Sequence, residues 1–439
     1  MCVMRKFQHR GSFLVAVIIL GAGGPVTAAP SRPSPAPAKQ HQLTPDQLVQ
    51  VVLARNPGIG AMESAVAAAT ARIRRAGAYD DPMISYAAAP NTAGTPGRGL
   101  NQIVQVSQTF PWPGTLSLRS RAASADARST EHQLADLRLR LAAQARAAYA
   151  QWYYVHQALA INTHEQILLA RLKDVAETAY SAGLAPEQDV LQAEVERTQL
   201  QNQALELDRR RQTVGAAING LMDQDPDAPL PPPGTPPQHK LPALETLRSA
   251  ALARYPRLKS LEARIHADQD RLQLAHKGYY PNFKVSTGYN SLWSNPDQRF
   301  LVGLSINLPF GANHSGQLDE ANAHLRETQD NLRDARIRLV TDLDQAYAGA
   351  RQDVRTVGLY TARLIPLSRQ NLRAAEADYR SGHGDFLKLI TAEQQYLMAR
   401  LELARARADL YTQLASIDYQ TAGAIFARRS SSSLEGPAP

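Results

Sequence analysis

Apolar and polar residues alternate one by one in short paired stretches of this chain, and long helices separate the pairs. In FLVGLSINLPF, Val302, Leu304, Ile306, Leu308 and Phe310 point one way and Gly303, Ser305 and Asn307 the other. In QIVQVSQTF, Val104, Val106 and Phe110 oppose Gln105, Ser107 and Thr109, and Phe283, Val285 and Tyr289 alternate with Lys284, Ser286 and Asn290. A fourth, weaker stretch runs from Met83 to Ala89. Period two with a largely polar second face suits a half-buried strand. Each stretch is about ten residues, the length a tilted strand needs to cross a bilayer. A small soluble antiparallel sheet fits the same stretches. The connections NTAGTPGRG and LWSNPDQ read as turn-rich loops.

The helices are punctuated by proline and glycine. Thr44 is placed to N-cap a short helix with Pro45 at its first position. That helix breaks at Asn56-Pro57 and resumes to about Tyr79. A second such pair opens at Pro242, breaks at Tyr255-Pro256 and runs to about Tyr279; each second helix stops just before a proline, Pro82 or Pro281. Two very long helices follow the strand pairs, Leu116 to Tyr180 and Gln317 to Tyr379. At 1.5 Å per residue each reaches about 95 Å, a coiled-coil length. The first lacks Gly and Pro, and the second carries Pro366, which is expected to kink it. After Gly183 and Gly382 the chain returns as helices to about Met222 and Ile425, because a helix that turns back needs a residue tolerant of positive φ.

This order occurs twice. YSAGLAPEQDVLQAE, from Tyr180, reappears as YRSGHGDFLKLITAE, from Tyr379; Gly183 and Gly382 lie 382 − 183 = 199 apart, as do Pro57 and Pro256. The expected fold is α+β, mainly α: a first repeat over 43–224, a Pro-rich linker over 225–242, a second repeat over 243–427 and a disordered tail over 428–439. Four strands per chain cannot close, and an open edge in a bilayer leaves backbone groups unsatisfied. Closure takes about eight strands, which two chains could just supply; three chains give a twelve-stranded barrel with a wider bore, continued by the helical hairpins as a tunnel.

Composition places this object outside the cytoplasm. Arg5, Lys6 and Arg10, the apolar run Phe13 to Leu20 and the small-residue site Val26-Thr27-Ala28 read as a secretory signal over 1–28, followed by a Pro-rich leader over 29–42. Cys2, the only cysteine, leaves with it, and no lipidation site is seen. Removing the signal takes the charge from +8 to 45 − 40 = +5, spread along helices among acids, so runs such as Arg209-Arg210-Arg211 read as solvated faces and no nucleic-acid partner is expected. No HExxH, phosphate-binding glycine loop or GxSxG is present, and the histidines beyond His9 are scattered without metal-site spacing. Neither an enzyme nor a cofactor is expected.

The duplicated order and the tip motifs Tyr180-x-x-Gly183-Leu184-x-x-x-x-Asp189-Val190 and Tyr379-x-x-Gly382 resemble the outer-membrane efflux proteins of the TolC type, over about Leu43 to Ile425. The segment QTFPWPG, Gln108 to Gly114, resembles the CzcC-like branch that serves heavy-metal efflux. The resemblance implies a homotrimeric conduit in the outer membrane of a Gram-negative bacterium, extending into the periplasm. It docks by its tips onto a periplasmic adaptor (membrane fusion) protein and an inner-membrane pump, expected to be proton-driven. By the family's pattern Asp189 and Tyr379 help hold the periplasmic aperture shut. Departures from that pattern put Lys388 and Thr391 where acids often stand, and Gly384 where arginine is common. Lys388 either pairs with an acid such as Asp189 or Glu187 or weakens cation selectivity. Ala182, Gly183, Leu184, Ser381, Gly382 and His383 form the expected adaptor-docking tips. Val302, Leu304, Ile306 and Leu308 form the expected lipid-facing band. From another class, a periplasmic coiled-coil structural or adaptor protein fits the helices; it would have to cover that band. Within the conduit class, metal efflux, drug efflux and type I protein secretion are not separated by residues.

Overall fold

The computed structural model describes residues 42–89, 101–291, 293, 298–309 and 313–426. The expected signal, nearly all of the leader, the tail, Phe310 and most of both strand-connecting loops lie outside the described residues.

Each half of the chain opens with two short helices in line, α1 (Pro45–Arg55) and α2 (Pro57–Ala76), then α5 (Leu244–Arg254) and α6 (Pro256–Lys277). Thr44 and Gln47 form a capping box that satisfies first-turn amides of α1. The α1/α2 break is held by Asn56, whose side chain accepts from Gly58 N–H at 3.0 Å and donates to the Leu221 carbonyl at 3.0 Å. Its counterpart 199 positions on is Tyr255, which has no capping side chain and is fixed instead by donating to the Tyr419 hydroxyl at 2.9 Å. The prolines α2 and α6 carry at their first position need no partner for the missing N–H. Both helices end two or three residues before the tyrosines Tyr79 and Tyr279 expected to close them.

The strands β1 (Met83–Ala89), β2 (Asn101–Phe110), β3 (Asn282–Asn290) and β4 (Phe300–Asn307) form one antiparallel sheet in the order β1-β2-β3-β4. They run 7 to 10 residues, a little shorter than expected. The two halves of the chain meet in it, because β2 pairs with β3.

From the sheet run the long helices. α3 (Thr115–Ser181) is continuous over 67 residues, about 100 Å; α4 (Glu187–Leu221) returns beside it. In the second half α7 (Asn313–Leu359) passes through a π-helical turn, Tyr360–Leu364, into α8 (Ile365–Arg380), and α9 (Phe386–Gln420) returns. Pro366 therefore sits just after a π turn rather than at a simple kink. A wider turn accommodates the missing donor and the ring's clash with the carbonyl four residues back.

Three apolar clusters hold these helices together. One gathers Leu48 and Val52 of α1, Tyr149 and Trp152 of α3 and Ile218 of α4. A second lies toward the hairpin tips, with Leu169 and Leu172 of α3 against Leu389 and Ile390 of α9. The third joins Leu247, Leu258, Leu343 and Leu414. The Pro-rich linker packs back onto the helices rather than acting as a free spacer. Tyr149 hydroxyl lies 2.7 Å from the Gly234 carbonyl and 2.9 Å from that of Leu43, and Trp152 Nε1 donates to Pro231 O at 3.1 Å. Asn219 donates to the carbonyls of Pro226 and Ala228. α9 stops at Gln420, five residues short of Ile425, because Asp418 folds the chain back by accepting from the amides of Ile425 and Phe426 while pairing with Arg146 at 2.9 Å.

Candidate membrane face and periplasmic tip

The pleat and register assign every strand side chain to one of two faces. Val106 lies opposite Ile84 and Thr287, Thr287 opposite Val302, and Val285 opposite Leu304. One face therefore carries Ile84, Tyr86, Val104, Val106, Phe283, Val285, Tyr289, Phe300, Val302, Leu304 and Ile306, with Gln102, Gln108 and Thr287 as its polar members. The other carries Ser85, Gln105, Ser107, Thr109, Lys284, Ser286, Asn290, Gly303, Ser305 and Asn307, with Met83, Ile103 and Leu301 as its apolar members. Lys284 is the only charged residue in the four strands.

Exposure on these faces is inverted relative to a soluble sheet. Val302 is 79% exposed and Leu304 64%, and Ile306 and Leu308 are exposed too, whereas Ser107 is 5% exposed. The apolar face is open over most of its length, Phe283 and Tyr289 being half-buried; on the polar face Ser107 is buried and Gln105, Thr109, Lys284, Ser286 and Asn290 are half-buried, while Ser85, Ser305 and Asn307 are exposed. No helix among the described residues is long and apolar enough to cross a membrane. Where strands meet helices, Trp112 stacks on Tyr280 and Phe283 at ring distances of 5.0 and 5.8 Å, and Tyr79 meets Phe110 edge-on at 5.6 Å. Trp112 belongs to QTFPWPG, and Gly114 of that segment has φ 87° and starts α3. The segment is thus the corner that turns strand into helix.

At the far end, Gly183 (φ 68°) and Gly382 (φ 77°) end their helices in the same Schellman geometry. Leu184 N–H donates to Ala179 O at 2.8 Å, and His383 N–H to Asp378 O at 3.1 Å. A Cβ at either glycine would meet nothing within 4 Å, so positive φ alone selects the residue. Ala182, Leu184, Ser381 and His383 are all exposed at these turns, Leu184 by 83%.

The tip brings Asp189 and Tyr379 together. Tyr379 hydroxyl donates to Asp189 Oδ2 at 3.0 Å, tying α4 to α8 and hence the first hairpin to the second. The Tyr379 ring rests 5.1 Å from Phe386. Burial and the adjacent Asp189 carboxylate push the Tyr379 phenol up, so it stays a donor at physiological pH. Glu187 is exposed in the first turn of α4. Lys388 is exposed on α9, and among the described residues no ion pair joins it to Asp189 or Glu187, the first of the two roles open to it. One tip residue escaped the sequence reading. Asp385 caps α9 by accepting from Leu387 N–H at 3.0 Å, a signal present in its place just before an apolar run. Gly384 allows the turn to close: a Cβ there would meet Tyr379 N at 2.6 Å, which leaves no room for the arginine common in the resembled pattern. Among the described residues no group of three or more His, Cys, Asp or Glu is placed to hold a metal ion.

A duplicated sheet with an open apolar face, carried on two long helical hairpins, defines a protein of the strand-inserting, tunnel-forming class. The model of the outer membrane efflux protein family matches residues 48–222 and 247–423, and the chain belongs to that family of outer-membrane channels. Among solved structures it is similar to the outer membrane protein VceC of Vibrio cholerae (TM-score 0.73, 16% identity, covering 86% of this chain and 96% of that one). It is similar also to CusC (TM-score 0.75, 16% identity, 86% and 91%) and to the open state of the MtrE outer membrane channel of Neisseria gonorrhoeae (TM-score 0.70, 17% identity, 86% and 88%). No curated protein sequence matches.

Proposed function

We propose that three copies of this chain close a twelve-stranded barrel in the outer membrane and form the passive exit conduit of a tripartite efflux system. The observation that carries this reading is the inverted sheet. An apolar face left mostly open beside a partly sheltered polar one is costly in water, but it is what a barrel with lipid outside and an aqueous lumen inside requires. The edges of β1 and β4, which have no further strand among the described residues, then pair between copies, and the helical hairpins continue the lumen into the periplasm. Asp189 and Tyr379 restrain the periplasmic mouth, with Glu187 and Lys388 at its rim. The turns at Ala182–Leu184 and Ser381–His383 dock on a periplasmic adaptor protein, and an inner-membrane pump, proton-driven in this reading, supplies the energy.

No residue here is assigned a catalytic role. Heavy-metal cations are the cargo that QTFPWPG suggests by resemblance, but the corner role of that segment favours no cargo over drugs or secreted proteins. Sensitivity of a deletion strain to zinc, copper, cadmium and antibiotics separates these cargoes. The conduit itself is tested by native mass in detergent together with planar-bilayer conductance. Three chains and discrete conducting steps support it, and a monomeric, non-conducting protein overturns it.

A further inference from the structure

Two carboxylates are buried where the hairpins meet. Glu165 of α3 is 0% exposed and Glu393 of α9 is 1% exposed. They occupy the seam otherwise filled by Ile161, Leu169, Leu389, Ile390 and Leu397. Arg400 Nη1 pairs with Glu165 Oε1 at 2.7 Å. The Glu165 and Glu393 carboxyls lie within electrostatic reach of each other, and Glu165 Oε2 and Glu393 Oε1 are buried with no hydrogen-bond partner. The other charged groups felt by the pair are His164 beside Glu165 on α3 and Glu196 on α4. One guanidinium neutralises one carboxylate. A second negative charge in the same apolar seam has no counter-ion, and Glu196 opposes it further.

We propose that Glu165 and Glu393 form a proton-operated latch between the two hairpins: a shared proton holds α9 against α3, and its loss drives them apart. With the proton in place the pair donates one hydrogen bond and carries a single charge, matched by Arg400. Without it, two carboxylates face each other in a dry seam and are relieved only if water enters between the helices. Burial, then the Glu165 charge, push the Glu393 carboxyl up to about 8, which places the event in the physiological range. A raised value in the closed form means that the stabilisation is complete below the ordinary carboxylate range and is lost as pH rises toward about 8. Glu393 lies 393 − 386 = 7 residues past the start of α9, about 10 Å along the helix, and the Tyr379 ring rests against Phe386 at that start, so parting this seam also loosens the packing beside the Tyr379–Asp189 bond. The latch belongs to the hairpins of one chain, and only its consequence for conduction rests on the conduit reading.

Hydrogen exchange of the full-length protein in detergent, corrected for intrinsic rates, tests this across the segment from Phe386 to Arg400. Exchange in the wild type is expected to rise with pH by up to roughly tenfold per unit between about 5 and 8, then level off. The infrared band of a protonated carboxyl should disappear near pH 8. Glu393→Gln keeps a neutral hydrogen-bonding group and is expected to exchange slowly, with no pH slope. Glu165→Gln leaves Arg400 to neutralise Glu393 and is expected to lose the slope as well. A wild type with flat exchange and a persistent carboxyl band, or a slope unchanged in both variants, overturns the latch. Because neither readout uses conductance, failure of the conduit would not be mistaken for failure of the latch.

Discussion

In the helical body Leu48, Val52, Leu247 and Leu343 are withdrawn almost completely from solvent, while the charged residues Arg138 and Glu63 pair on the surface. In the sheet Val302 and Leu304 are among the most open apolar side chains and Ser107 is sheltered. One chain thus follows two opposite burial rules, switching between them at the Trp112 corner. Apolar burial contributes roughly 25 cal/mol per Å² only where the alternative is water, so in the proposed conduit the difference marks a change of solvent rather than a poorly packed sheet. In the proposed reading the helices are built for an aqueous compartment and the strands for hydrocarbon outside and water within.

The comparison breaks most visibly at Leu304. Arginine at mid-bilayer on the outer face of a barrel costs roughly 2–4 kcal/mol per site, and a trimer carries three such sites. Leu304→Arg should therefore abolish outer-membrane assembly, while Ser305→Arg, one residue along on the polar face, should leave trimer yield close to wild type. Equal yields from gel-resolved trimers would remove the assignment of faces. In the helical body the rule reverses. Leu343→Ala opens a cavity in a fully buried site and should destabilise the helices by roughly 2–5 kcal/mol; thermal unfolding followed by far-ultraviolet circular dichroism measures it.

Smaller effects sharpen the picture. Asp189→Ala with Tyr379→Phe removes a charge-assisted hydrogen bond contributing about 1.5 kcal/mol per chain. Opening events in a planar bilayer should become more frequent, with trimer stability nearly unchanged. Lys388→Ala, recorded beside it, should behave like wild type if the lysine stands outside that network. Smallest of all, Thr44→Ala removes the capping box of α1 and should cost about 1 kcal/mol in the same unfolding experiment.

Much of this was legible in the sequence because the signals are local. Alternation fixed the faces of β2, β3 and β4, and the glycines at 183 and 382 announced turns whose φ values require them. Asp189 and Tyr379, named from the tip motifs, do meet. What escaped depends on contacts distant in sequence. The linker looks like a spacer until Tyr149 and Trp152, some 80 residues upstream, are seen to bind its carbonyls. Asp418 ends α9 early through amides beyond the helix that no periodicity reveals. Glu165 and Glu393 belong to no motif, and the available clue was their place in the apolar series 161, 165, 169 and 389, 393, 397. Pro366 announced an irregularity but not its form, since kink and π turn answer the same missing hydrogen bond.

The central claim is that the open apolar face of the sheet meets lipid. Once the expected signal is removed the chain has no cysteine, so single-cysteine variants can report each environment in reconstituted vesicles. Labels at Leu304→Cys should be quenched by a lipid-dissolved quencher and resist a water-soluble one. Labels at Ser305→Cys should do the reverse, and Leu343→Cys, in the helical core, should be reached by neither. A water-soluble quencher that reaches position 304 as readily as position 305 would place the sheet in water and contradict the account.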